Sequence, residues 1–233
     1  MSLSPRDQDP APDDAAPVDA APVDAAPVDA ASVDPPTPML VIISGPSGVG
    51  KDTIIEALQK RGHMPAYHYV VTCTTRPRRP NEIDGLSYIF LSVPEFLAIR
   101  DAGELLEANE VHGNWYGTPR AGVRDALARG QHAILKIDVQ GARVVKGCSP
   151  DALLIFVIPP SLETLHQHLK ARRTESAEQL EVRQRDAATE LARKDDYDYV
   201  VVNEENRVDL TAERIEQIIT AEERRGPRRR VTV

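Results

Sequence analysis

Cysteine is almost missing from these 233 residues, which contain only Cys73 and Cys148. Two thiols do not make a disulfide scaffold, and they fit a reduced, cytoplasmic protein. No apolar run approaches the roughly 18 residues that a membrane-spanning helix needs. The N-terminus carries no apolar h-region, so it does not read as a secretory signal. It is acidic rather than Arg-rich, which argues against a transit peptide. A surplus of basic charge is missing too, since the net charge is −8. The first 38 residues hold eight Asp against a single basic residue, Arg6, so most of that acidity lies there and the remainder is close to balanced. A surface built to bind duplex nucleic acid is therefore not expected.

What the tail does contain is a repeat. Ala-Ala-Pro-Val-Asp occurs at 15–19, 20–24 and 25–29, followed by Ala-Ala-Ser-Val-Asp at 30–34. A proline in each of the first three units forbids a regular helix, and the apolar content is too low for a core. Residues 1–38 read as an extended, disordered arm: a solvated tail, a stretch upstream of a true start at Met39, or a docking arm for a partner.

The rest of the chain is organised around Met39 to Thr53. Leu40 to Ile43 is an apolar run of the kind found in a fully buried strand. Gly45, Pro46, Ser47, Gly48, Val49, Gly50 and Lys51 follow, and then a helical pattern with Ile54, Ile55 and Leu58 on one face. Strand, glycine-rich loop and helix together predict a phosphate-binding loop. Glycines let the backbone curl and aim successive N–H groups at one anion. The helix N-terminus adds positive potential, and Lys51 adds a mobile charge. The GxxxxGK[ST] pattern is incomplete, because Asp52 stands where Ser or Thr is expected and Thr53 comes one residue later.

Tyr67–Thr72 reads as a strand, and Ser87–Leu91 as a short one. Between them Arg76, Arg78 and Arg79 form a compact candidate anion site, since guanidinium groups hold phosphate with a bidentate fork. Pro94–Ala102 reads as a helix. Leu105–Thr118 reads as strand pieces broken by Gly113 and Gly117, and it carries Glu107 and Glu110 as acceptors suited to a ring with adjacent N–H donors. His112 has no second ligand at metal spacing. Ala121–Arg129 is a helix. Ala133–Ile137 is a buried strand that delivers Asp138 to the ligand edge of a parallel sheet. Leu153–Ile158 is another strand. Ser161 caps a helix whose Leu162, Leu165 and Leu169 face inward. Arg172–Glu181 is charged and reads as mobile, with a helix after it. Tyr199–Val202 is the last strand, and Val208–Arg224 is a helix with Leu210, Ile215, Ile218 and Ile219 available for packing. The Arg-rich C-terminus reads as a frayed tail.

From about Leu40 to the last helix, the chain resembles the guanylate kinase family. Thr74-Thr75-Arg76, Arg79, Glu82, Gly85, Tyr88 and Phe90 fall at that family's spacing. So do Glu107, Val111-His112-Gly113-Asn114, Tyr116-Gly117-Thr118, Ile137-Asp138-Val139-Gln140-Gly141 and Tyr197 through Asn203. The resemblance implies an α/β phosphate-loop fold: a parallel sheet core, a small strand-rich insert at about 73–120 and a helical lid near 172–185 within a domain spanning 39–226, followed by a basic tail at 227–233. It implies ATP and Mg²⁺, with Gly45 through Thr53 on the ATP phosphates and Asp52 as the metal ligand. Arg76, Arg79, Tyr88 and Tyr116 would clamp the phosphate of GMP, with Glu82 in the same set. Glu107, Thr72, Thr118 and Asp138 would form the base pocket. Lys51, Arg76, Arg172 and Arg183 would act on the transferring phosphoryl group. Nothing in the resemblance implies nucleic acid or membrane as a partner.

Three positions depart from the family pattern: Asp52, His168 where a second arginine is usual, and Lys136 where an acid is usual. Two other readings remain, of which the first shares the loop and the second generally lacks it. One is a ribose 1,5-bisphosphate phosphokinase, against which Glu107 and the Thr-Thr-Arg stretch argue. The other is a non-catalytic guanylate-kinase-like binding module, against which Lys51 and its glycines argue.

Overall fold

The computed structural model describes residues 37–63, 66–171 and 177–225, without the side chains of 171 and 177–183. The repeat arm to residue 36, Arg172 and the basic end from residue 226 fall outside the described residues.

In chain order the elements are β1 (Leu40–Ser44), α1 (Lys51–Arg61), β2 (Tyr67–Tyr69), β3 (Cys73–Thr74), β4 (Ile89–Phe90), α2 (Val93–Asp101), β5 (Leu105–Val111) and β6 (Asn114–Pro119). Then come α3 (Arg120–Ala128), β7 (His132–Lys136), α4 (Val139–Cys148), β8 (Leu153–Ile158), α5 (Leu162–Ala171), α6 (Ala177–Leu191), β9 (Tyr199–Val202) and α7 (Val208–Arg224). Five strands form a wholly parallel sheet in the order β2-β7-β1-β8-β9. The other four form a mixed sheet in the order β4-β3-β6-β5. The chain thus has an α/β fold, a parallel core with a small mixed-sheet insert.

Both faces of β1 are buried, and its side chains alternate between two cores. Val41 and Ile43 join Ile54, Leu58, Ile215 and Ile219 on the side of α1 and α7. Leu40 and Ile42 join Val123, Ala126, Ala142 and Val145 on the side of α3 and α4. The insert has its own small core of Cys73, Phe96 and Leu105, closed by Trp115.

The structure corrects several details. The expected strand Tyr67–Thr72 divides, because its end passes from one sheet to the other. The Val70 amide donates to the Ile134 carbonyl in the parallel sheet, while the Thr72 carbonyl accepts from the Ile89 amide in the insert. Gly117 does not break its strand: it lies inside β6, where a Cβ would come within 2.8 Å of Leu105 and 3.0 Å of Phe96. The break is at His112-Gly113 alone, both at positive φ, as a two-residue type I′ hairpin turn requires. Leu162 and Leu210 are exposed rather than packed. Residues 177–181, expected within a mobile stretch, are already helical in α6.

Candidate active site

The loop after β1 is shaped by backbone needs. Gly45 has φ +145°, and a Cβ there would lie 2.3 Å from the Val157 carbonyl oxygen of the neighbouring strand β8. Only glycine fits that approach. Gly50 caps α1 in the left-handed region, with Asn203 pressed against it. The Asn203 amide donates to the Val49 carbonyl at 2.8 Å and accepts from Thr211 at 3.0 Å, which ties the loop to β9 and α7. The Lys51 ammonium donates to the carbonyls of Gly45 (2.6 Å) and Pro46 (3.1 Å). Burial holds its pKa below the ordinary lysine value, against the pull of Glu190 and Asp52.

Across the cavity stands a different construction. Thr74 and Thr75 fasten the arginine stretch: Thr74 Oγ1 accepts from the Arg76 amide, and Thr75 Oγ1 accepts from the Trp115 amide of β6. The Arg76 guanidinium donates to both oxygens of Glu82, at 2.7 and 3.1 Å. Glu82 also accepts from the Arg79 amide at 2.8 Å. Burial opposes the Glu82 charge, but Arg76 and the Arg79 amide outweigh it and keep the carboxyl below its usual pKa. The Arg76 guanidinium lies 5.4 Å from the centre of the Tyr88 ring, which meets Tyr116 edge-on.

Deeper in the cavity, Glu107 is only 5% exposed. It accepts from the Thr118 hydroxyl and from the Asn109 amide, each at 2.7 Å. Burial, helped by the charge of Asp138, pushes its pKa up to about 7 despite those two hydrogen bonds. Gly141 makes room for it, since a Cβ there would come within 2.9 Å of Glu107 Oε2. Asp138 caps α4 and accepts from the Gly141 amide at 2.7 Å. One cavity is lined by Gly45, Lys51 and Asp52 from the loop, by Thr72, Arg76, Arg79, Tyr88, Glu107 and Tyr116 from the insert side, and by Asp138.

Comparison with known proteins gives the same result. The family model described as guanylate kinase matches residues 37–222. The chain belongs to the guanylate kinase family. It is 48% identical over 170 residues to a guanylate kinase from Symbiobacterium thermophilum, covering 73% of this chain and 80% of the relative. It is 40% identical over 200 residues to guanylate kinase 2, chloroplastic/mitochondrial, from Oryza sativa subsp. japonica, covering 85% and 70% of the two chains. The crystal structure of guanylate kinase from Anaplasma phagocytophilum superposes with a TM-score of 0.66 at 32% identity, covering 80% and 87%.

Within this guanylate kinase fold, some expected site residues stand apart from the cavity wall. Pro46 and Val49 build the loop from behind, and Thr53 donates its hydroxyl to the Gly50 carbonyl at 2.7 Å. Glu82 and Thr118 are instead bonded to residues that do line it, Arg76 and Glu107. Arg183 falls within α6, with its side chain outside the described set, and Arg172 lies outside the described residues altogether. His168 reaches the Gly48 carbonyl at 3.2 Å, so this departure touches the phosphate loop. Sequence reasoning missed Glu190 and Asn109. Glu190 projects from α6 to accept from the Ser47 amide at 3.2 Å. Nothing distinguishes it in sequence from the other acids of that helix. Asn109 lies two residues past Glu107 on a strand, and that same-face spacing was the available signal.

Proposed function

We propose that this guanylate kinase family member transfers the γ-phosphoryl group of ATP to the phosphate of GMP, giving ADP and GDP. The observation that carries this reading is the placement of a buried carboxylate, Glu107, in the same cavity as the Lys51 loop. Guanine presents an N1–H and an N2 amino group side by side, and an ionised Glu107 can accept from both. Adenine offers an acceptor at N1, which an acceptor-only carboxylate repels. Thr118 and Asn109 hold the carboxylate, and Thr72 and Asp138, which line the same cavity, would border the base.

On the donor side, the loop amides and Lys51 would bind the β- and γ-phosphates. Ser47 would exchange its bond to Glu190 for a phosphate oxygen. On the acceptor side, Arg76 and Arg79, oriented by Glu82, would hold the GMP phosphate with Tyr88 and Tyr116 beside it. An oxygen of that phosphate then attacks the γ-phosphorus in line. Phosphoryl transfer asks for positioning and charge stabilisation more than covalent help, so the chain's work is to bring two anions together against their repulsion. Arg172 and Arg183, from the proposed lid, would add positive charge over the transferring group and exclude water.

Mg²⁺ would neutralise developing charge on the phosphates. It binds oxygens, commonly one or two carboxylates together with substrate phosphates, and Asp52 at the start of α1 offers one such carboxylate. A cytoplasmic location is part of this proposal, supported by the chain's having only two cysteines; no helix among the described residues is long and apolar enough to cross a membrane. An initial-rate assay of ADP formation across GMP, dGMP, AMP, UMP and CMP tests the proposal. GMP and dGMP should be turned over, with AMP slower by about 10³-fold or more. Equal rates with AMP would reject it.

A further inference from the structure

Asp52 and Lys136 lie 84 residues apart in the chain, yet the ammonium of one is in direct contact with the carboxylate of the other. Asp52 is on the first turn of α1, and Lys136 is the last residue of β7. Both were singled out in the sequence, and the fold brings them together. Lys136 Nζ also stands 4.5 Å from the centre of the Tyr88 ring, which the Arg76 guanidinium approaches too, at 5.4 Å. The ammonium therefore sits between the donor loop and the arginines, with Asp52 on one side and the acceptor-phosphate residues on the other.

Such a pair conceals both charges. An aspartate beside a phosphate site repels anions, and a lysine bound to it has lost most of its attraction for them. The geometry points to Lys136 as a further phosphate-binding residue of the acceptor site, restrained by Asp52 and released when that carboxylate is drawn to another cation. This inference rests on the acceptor reading given above.

The test is a double-mutant cycle on the full chain, by calorimetric titration of GMP and of guanosine in EDTA without ATP. Asp52→Asn frees the lysine and should tighten GMP binding about fivefold, in line with one charge-assisted contact. Lys136→Met should weaken GMP binding by about threefold or more, and should cancel the gain in the double variant. Lys136→Arg should stay within about twofold of wild type. Guanosine, which lacks the phosphate, should bind all the variants alike, and this shows that the site is intact. A gain from Asp52→Asn that survives in the double variant would overturn the proposal, as would equal changes for guanosine and GMP. Unchanged GMP binding by Lys136→Met would overturn it as well, while leaving the acceptor reading standing. A wild-type chain that binds neither GMP nor guanosine would overturn both.

Discussion

On the proposed reading the cavity has a donor end and an acceptor end, and they are made of different materials. The donor end is backbone: glycines at positive φ and one lysine, set against the parallel sheet at Val157 and Asn203. The acceptor end is side chain: Arg76 and Arg79 set by Glu82, and Glu107 set by Thr118 and Asn109, all carried on a thin sheet with a core of its own. A backbone site binds any phosphate of the right shape and cannot tell one base from another. A side-chain site can, because each buried donor or acceptor left unpaired by the wrong ligand costs free energy. The comparison predicts that lesions at one end leave binding at the other largely intact.

The largest effect is expected at the donor end. Lys51→Met should lower kcat by about 10²- to 10³-fold while the GMP dissociation constant stays within about twofold. Steady-state rates and equilibrium titration check this, and a matching collapse of GMP binding would show that the two ends are not separable.

Next in size is a pH effect confined to the acceptor end. Glu107 titrates near pH 7 because it is buried. Guanosine carries no phosphate to complicate the reading. Its dissociation constant should be flat above pH 7 and rise below it, approaching tenfold per pH unit, because binding must expel a proton. In Glu107→Gln the profile should be flat throughout. The sign for stability runs the other way. A carboxyl whose folded-state pKa is raised favours the fold while protonated, and that contribution is lost as pH rises through about 7.

Arg79→Lys keeps the charge but loses the planar fork. It should raise the GMP KM by about tenfold with little change for ATP. A loss of ATP binding instead would place Arg79 at the donor end. The smallest effect concerns the metal. Asp52→Ala should shift the dependence of rate on free Mg²⁺ to higher concentration by about threefold. Superimposable curves for wild type and variant would reject Asp52 as a metal partner.

Much of this contrast is legible in the sequence. The donor end is written in consecutive residues, Leu40 through Leu58, where apolar run, glycine spacing and helical pattern follow one another. Strands β8 and β9 were readable for the same reason, being short apolar runs with clear stops. The acceptor end was legible only through resemblance, because its parts come from Thr72, Arg76, Glu82, Glu107 and Tyr116, and no local pattern says that they meet. What escaped notice depends on tertiary contact alone. Leu162 and Leu210 sit on faces that helical periodicity cannot orient unaided. The strand at Tyr67 divides because two sheets compete for it. Glu190 reaches Ser47 across 143 residues, and Lys136 reaches Asp52 across 84.

The most direct test of the account is calorimetric titration of GMP and ATP into wild type and into Glu107→Gln at pH 8, where the native carboxyl is ionised. The account predicts that GMP affinity falls by about 10²-fold or more while ATP affinity is unchanged within about twofold. Equal GMP affinity in the two proteins would contradict the claim that guanine is read by this buried side chain.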